Sequence, residues 1–106
     1  MTTEPSSDVS LEPIFVIEAT CAPDAAEIRK PVRARHLERL AELRDRGVVI
    51  EAGGYADVSA SLLLVRAASE AAALQIARDD IYMASGVWVE LRVKAFGRVV
   101  RPSELA

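Results

Sequence analysis

The chain opens polar and turns apolar at Pro13. Residues 1–12 (MTTEPSSDVSLE) carry no apolar periodicity that would fix them to a core, so they read as a disordered N-terminal tail. Ile14–Thr20 (IFVIEAT) is a β-branched and aromatic run of strand length, apolar on both faces, and predicts a strand covered on both sides. Turn chemistry at Pro23-Asp24 follows. Val32, His36, Leu40 and Leu43 then recur at helical spacing, with Leu37 widening the stripe. The helix is expected to begin near Pro31, where the missing N–H is tolerated, and to end at a C-capping Gly47.

Val48–Gly54 and Ser61–Ala68 read as the two strands of a hairpin joined by a loop carrying Tyr55 and Asp57. Gly53-Gly54 is explained by backbone freedom at a strand end. Ser69 is a good N-cap with Glu70 placed favourably behind it, and EAAALQIAR predicts a second helix ending near Asp79. Val87–Phe96 alternates most clearly: Val87, Val89, Leu91 and Val93 on one face, Trp88, Glu90, Arg92 and Lys94 on the other.

The order is β-α-β-β-α-β. Two-layer packing satisfies it with a ferredoxin-like α+β sandwich, a four-stranded antiparallel sheet carrying two helices on one face, spanning residues 13–100 and followed by a C-terminal tail, 101–106. The other sheet face is uncovered, and Phe15, Ile17, Leu62 and Trp88 are expected to make part of it too apolar for water. A homodimer with the two sheets facing each other covers it, with a cleft between sheet, helix ends and loops for a small-molecule ligand.

Composition narrows the partners. Thirteen basic and sixteen acidic residues leave a net charge of −3, which gives no footprint for nucleic acid or an anionic membrane. One Cys, Cys21, and one His allow neither an intramolecular disulfide nor a structural zinc site. The N-terminus has no secretory pattern and no eighteen-residue apolar run occurs, so the expected location is cytoplasmic.

No stand-alone catalytic signature is present: no G-x-S-x-G, no phosphate-binding glycine loop, no metal-spaced histidine pair. His36 stands out because its register puts it on the apolar stripe, where a charged imidazole is costly. A core-margin histidine satisfied by backbone is the plain alternative to a working group. Arg33, three residues earlier, borders the same edge, so an anion could meet both. Asp79 and Asp80 sit at a helix C-terminus, where the macrodipole disfavours negative charge. They are either a solvated helix end or supply a carboxylate turned inward to orient His36.

Taken together, Arg33-Ala34-Arg35-His36-Leu37, Ala52-Gly53-Gly54, Ser69-Glu70-Ala71-Ala72, Asp80-Ile81-Tyr82 and Gly86-Val87-Trp88 resemble the YciI-like (YCII-related) family over roughly residues 13–100. The resemblance implies a ferredoxin-like fold and dimers of the α-β barrel type. It also implies a His–Asp site, mapping to His36 and Asp80. Ile81 stands where the family has proline, which leaves Asp79 as an alternative to Asp80, and Gly54 stands where proline is common.

The function expected is that of a small enzyme without cofactor or metal, using His36 as general acid or base and Asp80 as its orienting partner. The chemistry is elimination, isomerisation or hydrolysis on a small organic metabolite, with Arg33, Tyr82 and Trp88 binding the substrate. The alternative is a non-catalytic ligand-binding or accessory dimer.

Overall fold

The computed structural model describes residues 8–104. Its elements are β1 (Ser10–Cys21), α1 (Ala25–Ile28), α2 (Arg33–Asp45), β2 (Val49–Gly54), β3 (Ala60–Val65), α3 (Glu70–Arg78), α4 (Ile81–Ala84) and β4 (Trp88–Val100), followed by a 3-10 turn, Pro102–Glu104. The four strands form one antiparallel sheet in the order β2-β3-β1-β4. This is the ferredoxin-like α+β arrangement.

Three of the expected boundaries shift, and at one of them β3 ends at Val65 and not at Ala68. Strand β1 starts at Ser10, so Ser10–Glu12 belong to the sheet and not to a tail; residues 1–7 lie outside the described residues. Pairing explains the extension: Ser10 to Pro13 lie opposite Val100 to Gly97 of β4, which itself runs four residues past Phe96. Glu12 then accepts hydrogen bonds from Arg66 and from Arg98, at 3.1 Å for the latter. These partners are 54 and 86 residues away, beyond the reach of local periodicity.

Helix α2 ends as its sequence dictates. Gly47 has φ +77°, and the amides of Gly47 and Val48 donate back to the carbonyls of Arg44 and Leu43 at 3.0 and 2.9 Å, a Schellman closure that turns the chain into β2. At the other helix the Ser69 hydroxyl accepts from the Ala72 amide at 3.1 Å and caps α3.

The core lies between the sheet and the helices. Ile17, Ala19, Leu63, Val65 and Val49 supply it from the strands, and Ala73 and Ala77 from α3, whose small side chains let the helix lie close to β1 and β4. Leu91 and Val93 pack against the same cluster, as the alternation predicts, but Trp88 is also inside and Val89 is outside, the reverse of their expected faces. A β-bulge causes this: Thr20 pairs with Glu90 while Cys21 pairs with Trp88, so Val89 is an extra residue that flips the phase of the strand.

Among the described residues no helix lies on the other face of the sheet, and its composition also differs from the expected one, through the bulge at Trp88 and through the facing of β1 at Phe15 and Ile17. Phe15, Ile17 and Trp88 pack on the helix side; only Leu62 of the four expected residues faces away. The uncovered face instead pairs Val16 with Leu64 and Glu18 with Leu62, and continues across β4 through Lys94 and Arg92. Gly53 and Gly54 remain within β2 without left-handed torsions, so backbone freedom is not what they supply.

Candidate active site

His36 is the buried residue of α2, 4% exposed, while Val32, Leu40 and Leu43 on the same stripe are half-buried against the core. Leu37, expected to widen that stripe, is 46% exposed. The imidazole therefore leaves the helix toward the sheet and meets α4. There, Asp80 is the N-cap: its Oδ1 accepts from the Tyr82 amide at 2.9 Å, which fixes the carboxylate at the start of the helix where the macrodipole favours negative charge. The unfavourable C-terminal position of Asp80 on α3 is thus a favourable N-terminal position on α4.

His36 Nδ1 lies 2.7 Å from the same Asp80 oxygen. The second oxygen, Oδ2, accepts from Arg39 Nη1 at 3.0 Å, and Arg39 Nη2 donates to the Ile76 carbonyl at 2.9 Å, tying α2 to the end of α3. Asp80 is 1% exposed. Burial pushes its carboxyl upward, but hydrogen bonds from His36 and the Tyr82 amide, the His36 charge and Arg39 outweigh it and hold the group below the usual carboxylate range. An ionised Asp80 only accepts, so Nδ1 carries the proton and, in a neutral ring, Nε2 carries the lone pair.

Aromatic packing fixes the ring plane. Tyr82 stacks on His36 at 3.5 Å between centroids and 10° between planes, and Trp88 meets His36 edge-on at 5.3 Å and 89°. Trp88 Nε1 donates to Ser61 Oγ at 3.2 Å. Burial pushes the Tyr82 phenol up, against the pull of Arg29 and Arg33, so Tyr82 is neutral at physiological pH.

A cavity of about 470 Å³ opens on this group, between α2 and the β2–β3 hairpin. His36, Tyr82 and Arg33 line it; Asp80 and Trp88 do not. Since no buried side-chain nitrogen or oxygen among the described residues lacks a partner, and Nε2 makes no hydrogen bond, that nitrogen is reached from the cavity. Of the expected site residues, then, His36, Asp80 and Tyr82 are brought together and Arg33 stands at the cavity wall. Trp88 is displaced behind the ring by the bulge, 1% exposed, and does not bound the space a substrate would enter. Asp79 points elsewhere: its Oδ1 accepts from Gln75 Nε2 at 2.7 Å on the exposed side of α3.

Sequence reasoning missed Arg39, Arg29 and Tyr55. Arg39 sits three residues after His36 and therefore on the same flank of the helix, which is the signal that could have found it. Tyr55 and Val58 close the cavity from the hairpin loop. Val58 holds φ +60°, a left-handed conformation that costs a β-branched residue about 1–2 kcal/mol. Asp57 braces it by accepting from the Ser59 amide at 3.0 Å and hydroxyl at 2.6 Å. Among the described residues no three of His, Cys, Asp and Glu gather to hold a metal ion, and no helix is long and apolar enough to cross a membrane.

Fold and site together define a ferredoxin-like α+β domain with a buried imidazole–carboxylate pair at a cavity wall. The YCII-related domain matches residues 14–97, and the chain belongs to that family. It is 34% identical over 96 residues to Protein YciI of Escherichia coli O6:H1 and equally to Protein YciI of Shigella flexneri, each match covering 81% of this chain and 98% of the relative. Among solved structures it is similar to 5-chloro-2-hydroxyhydroquinone dehydrochlorinase from Burkholderia phenoliruptrix in complex with 2,5-dihydroxybenzoquinone. The TM-score is 0.66 at 21% identity, covering 78% of this chain and 92% of that one. At that identity the likeness is one of fold.

Proposed function

We propose that the protein is a small enzyme, working without cofactor, that carries out general acid/base chemistry on an organic metabolite, with elimination as the leading reaction type. The observation that carries this reading is a single imidazole held at Nδ1 by an ionised, buried carboxylate while Nε2 opens on a cavity. In an elimination, Nε2 takes a proton from a substrate carbon or hydroxyl, the freed electron pair forms the new double bond, and the leaving group departs from the neighbouring atom with its bonding pair. The imidazolium formed is stabilised by Asp80, which stays ionised, and its Nε2 proton then passes to solvent or to the leaving group. Arg39 holds Asp80 in place, and Arg33 receives an anionic group of the substrate. Tyr82 serves as the floor beneath the ring, and Trp88 as its backing.

Support for elimination comes from the fold relative, whose name describes a dehydrochlorinase and whose structure contains a quinone. We further propose a cytoplasmic homodimer joined through the uncovered sheet face, supported by the half-buried Val16, Leu62 and Leu64 there. Light scattering at micromolar concentration tests it: a mass of two chains is expected, and a monomer contradicts it. For the reaction, a thermal-shift screen of hydroxy-aromatic acids, lactones and haloacids supplies the substrate. His36→Ala and Asp80→Asn are then expected to lower turnover by about 10²–10⁴-fold, and a variant retaining full rate overturns the assigned roles.

A further inference from the structure

The shape and charge of the cavity narrow the substrate class, an inference that rests on the reading of His36 above. Along α2 the cavity is lined at Arg33, His36, Leu37, Leu40, Ala41 and Arg44, a single stripe of the helix. The eleven steps from Arg33 to Arg44, at 1.5 Å each, make this a groove about 16 Å long, with His36 near one end. Its middle is apolar, walled by Leu37 and Leu40 and faced by Val49, Ala52 and Leu63 from the sheet. Its ends differ. Arg44 is neutralised by Glu51, whose Oε2 lies 3.2 Å from Nη2. Arg29 and Arg33 have no carboxylate partner among the described residues, both pull on the Tyr82 phenol, and the lining contains no acidic side chain. A short polar metabolite would leave most of the groove empty, since about 470 Å³ lies within the range of pockets that enclose drug-sized ligands.

We infer that the site takes an extended amphipathic anion: a carboxylate, enolate or phenolate head between Arg29, Arg33 and His36, and an apolar body lying along α2 toward Arg44. The bare backbone of Gly54, paired with Ser61 on the helix side of the sheet, gives that body its width: a Cβ built there would stand 3.6 Å from Ser61 Oγ and take up space in the lining.

Titration calorimetry at pH 7 with octanoate, butyrate and octyltrimethylammonium tests this. Octanoate is expected to bind, with affinity falling about fourfold for each methylene removed, and octyltrimethylammonium is expected not to bind. The Arg29→Ala/Arg33→Ala chain should lose tenfold or more for octanoate, and Leu37→Ser, at an exposed position, should weaken octanoate without weakening butyrate. Equal binding of the cation and the anion, no gain from chain length, an indifferent arginine variant or no binding of any probe overturns the inference. His36→Ala, which has no acid/base group but keeps Arg29, Arg33 and the apolar wall, should still bind octanoate more tightly than butyrate, though more weakly than the wild type does. Selective binding without any His36-dependent turnover would sink the enzymatic reading alone, whereas His36-dependent turnover on a short substrate with unselective probe binding would sink this inference alone.

Discussion

Two carboxylates in this molecule are clamped by arginine, and they differ in what stands beside them. Glu12 joins β1 to Arg66 at the end of β3 and to Arg98 on β4, and Arg66 also donates to the Gly47 carbonyl at 3.0 Å. Asp80 joins α4 to Arg39 and His36 on α2. Both are held below the usual carboxylate range, Glu12 chiefly by its hydrogen bond from Arg66 and Asp80 by its several donors against strong burial. At Glu12, however, both partners are permanent cations, and neither the cavity at His36 nor the shallower one beside β2 is lined by Glu12, Arg66 or Arg98. At Asp80 one partner is the only imidazole, able to change protonation, and its second nitrogen faces open space. A perturbed carboxylate alone marks an ion cluster; the titratable partner and the cavity are what make a candidate site.

The comparison breaks most visibly in activity. His36→Ala and Asp80→Asn are expected to lower turnover by about 10²–10⁴-fold, while Glu12→Gln leaves it unchanged; the rates of the three purified variants on one substrate decide it. Stability should separate the two clusters next. Asp80→Ala strands Arg39 and the buried imidazole and is expected to cost about 3–5 kcal/mol. Glu12→Gln, whose arginine partners reach solvent, is expected to cost about 1 kcal/mol or less. Urea denaturation measures both.

The acid limb of stability sharpens the picture. Each carboxyl titrates lower in the folded chain than in the unfolded one. Its contribution is therefore complete above the unfolded value, near pH 4, and is lost as pH falls through the depressed native value. Comparing urea midpoints at pH 6 and pH 3 should show the wild type losing more stability than Asp80→Asn or Glu12→Gln, because each variant lacks one of the groups that must be protonated. The smallest effect is expected at Asp79→Asn: within about 0.5 kcal/mol of wild type and with unchanged turnover, since its carboxylate touches only exposed Gln75.

How much of this was legible in the chain depended on whether the cause was local. Helix periodicity put His36 on the buried stripe, and Gly47 ended the helix where a left-handed residue was required. Asp79 and Asp80 are out of place at the C-terminus of α3 by the macrodipole, and the structure reverses the reason for Asp80: α4 is only four residues long, too short for periodicity to reveal, and it makes Asp80 an N-cap. Trp88 and Val89 reverse the faces that strict alternation predicts because Val89 is an extra residue in β4, while Val87, just before the strand, is buried as the alternation predicts; a bulge has no signature in a run of apolar residues. Ser10–Glu12 looked like tail because Glu12 is polar, and its partners come from β4 and from beyond β3. Arg39 meets Asp80 across 41 positions of sequence, a pairing that only the fold creates.

The central claim is that Asp80 fixes the proton of the imidazole on Nδ1. With one histidine in the chain, a long-range ¹H–¹⁵N spectrum at pH 8 reads the two ring nitrogens without assignment work. The expected result is a proton on Nδ1 and a bare Nε2, with that pattern disturbed in Asp80→Asn. A proton resident on Nε2, or a spectrum that Asp80→Asn leaves untouched, would contradict the account.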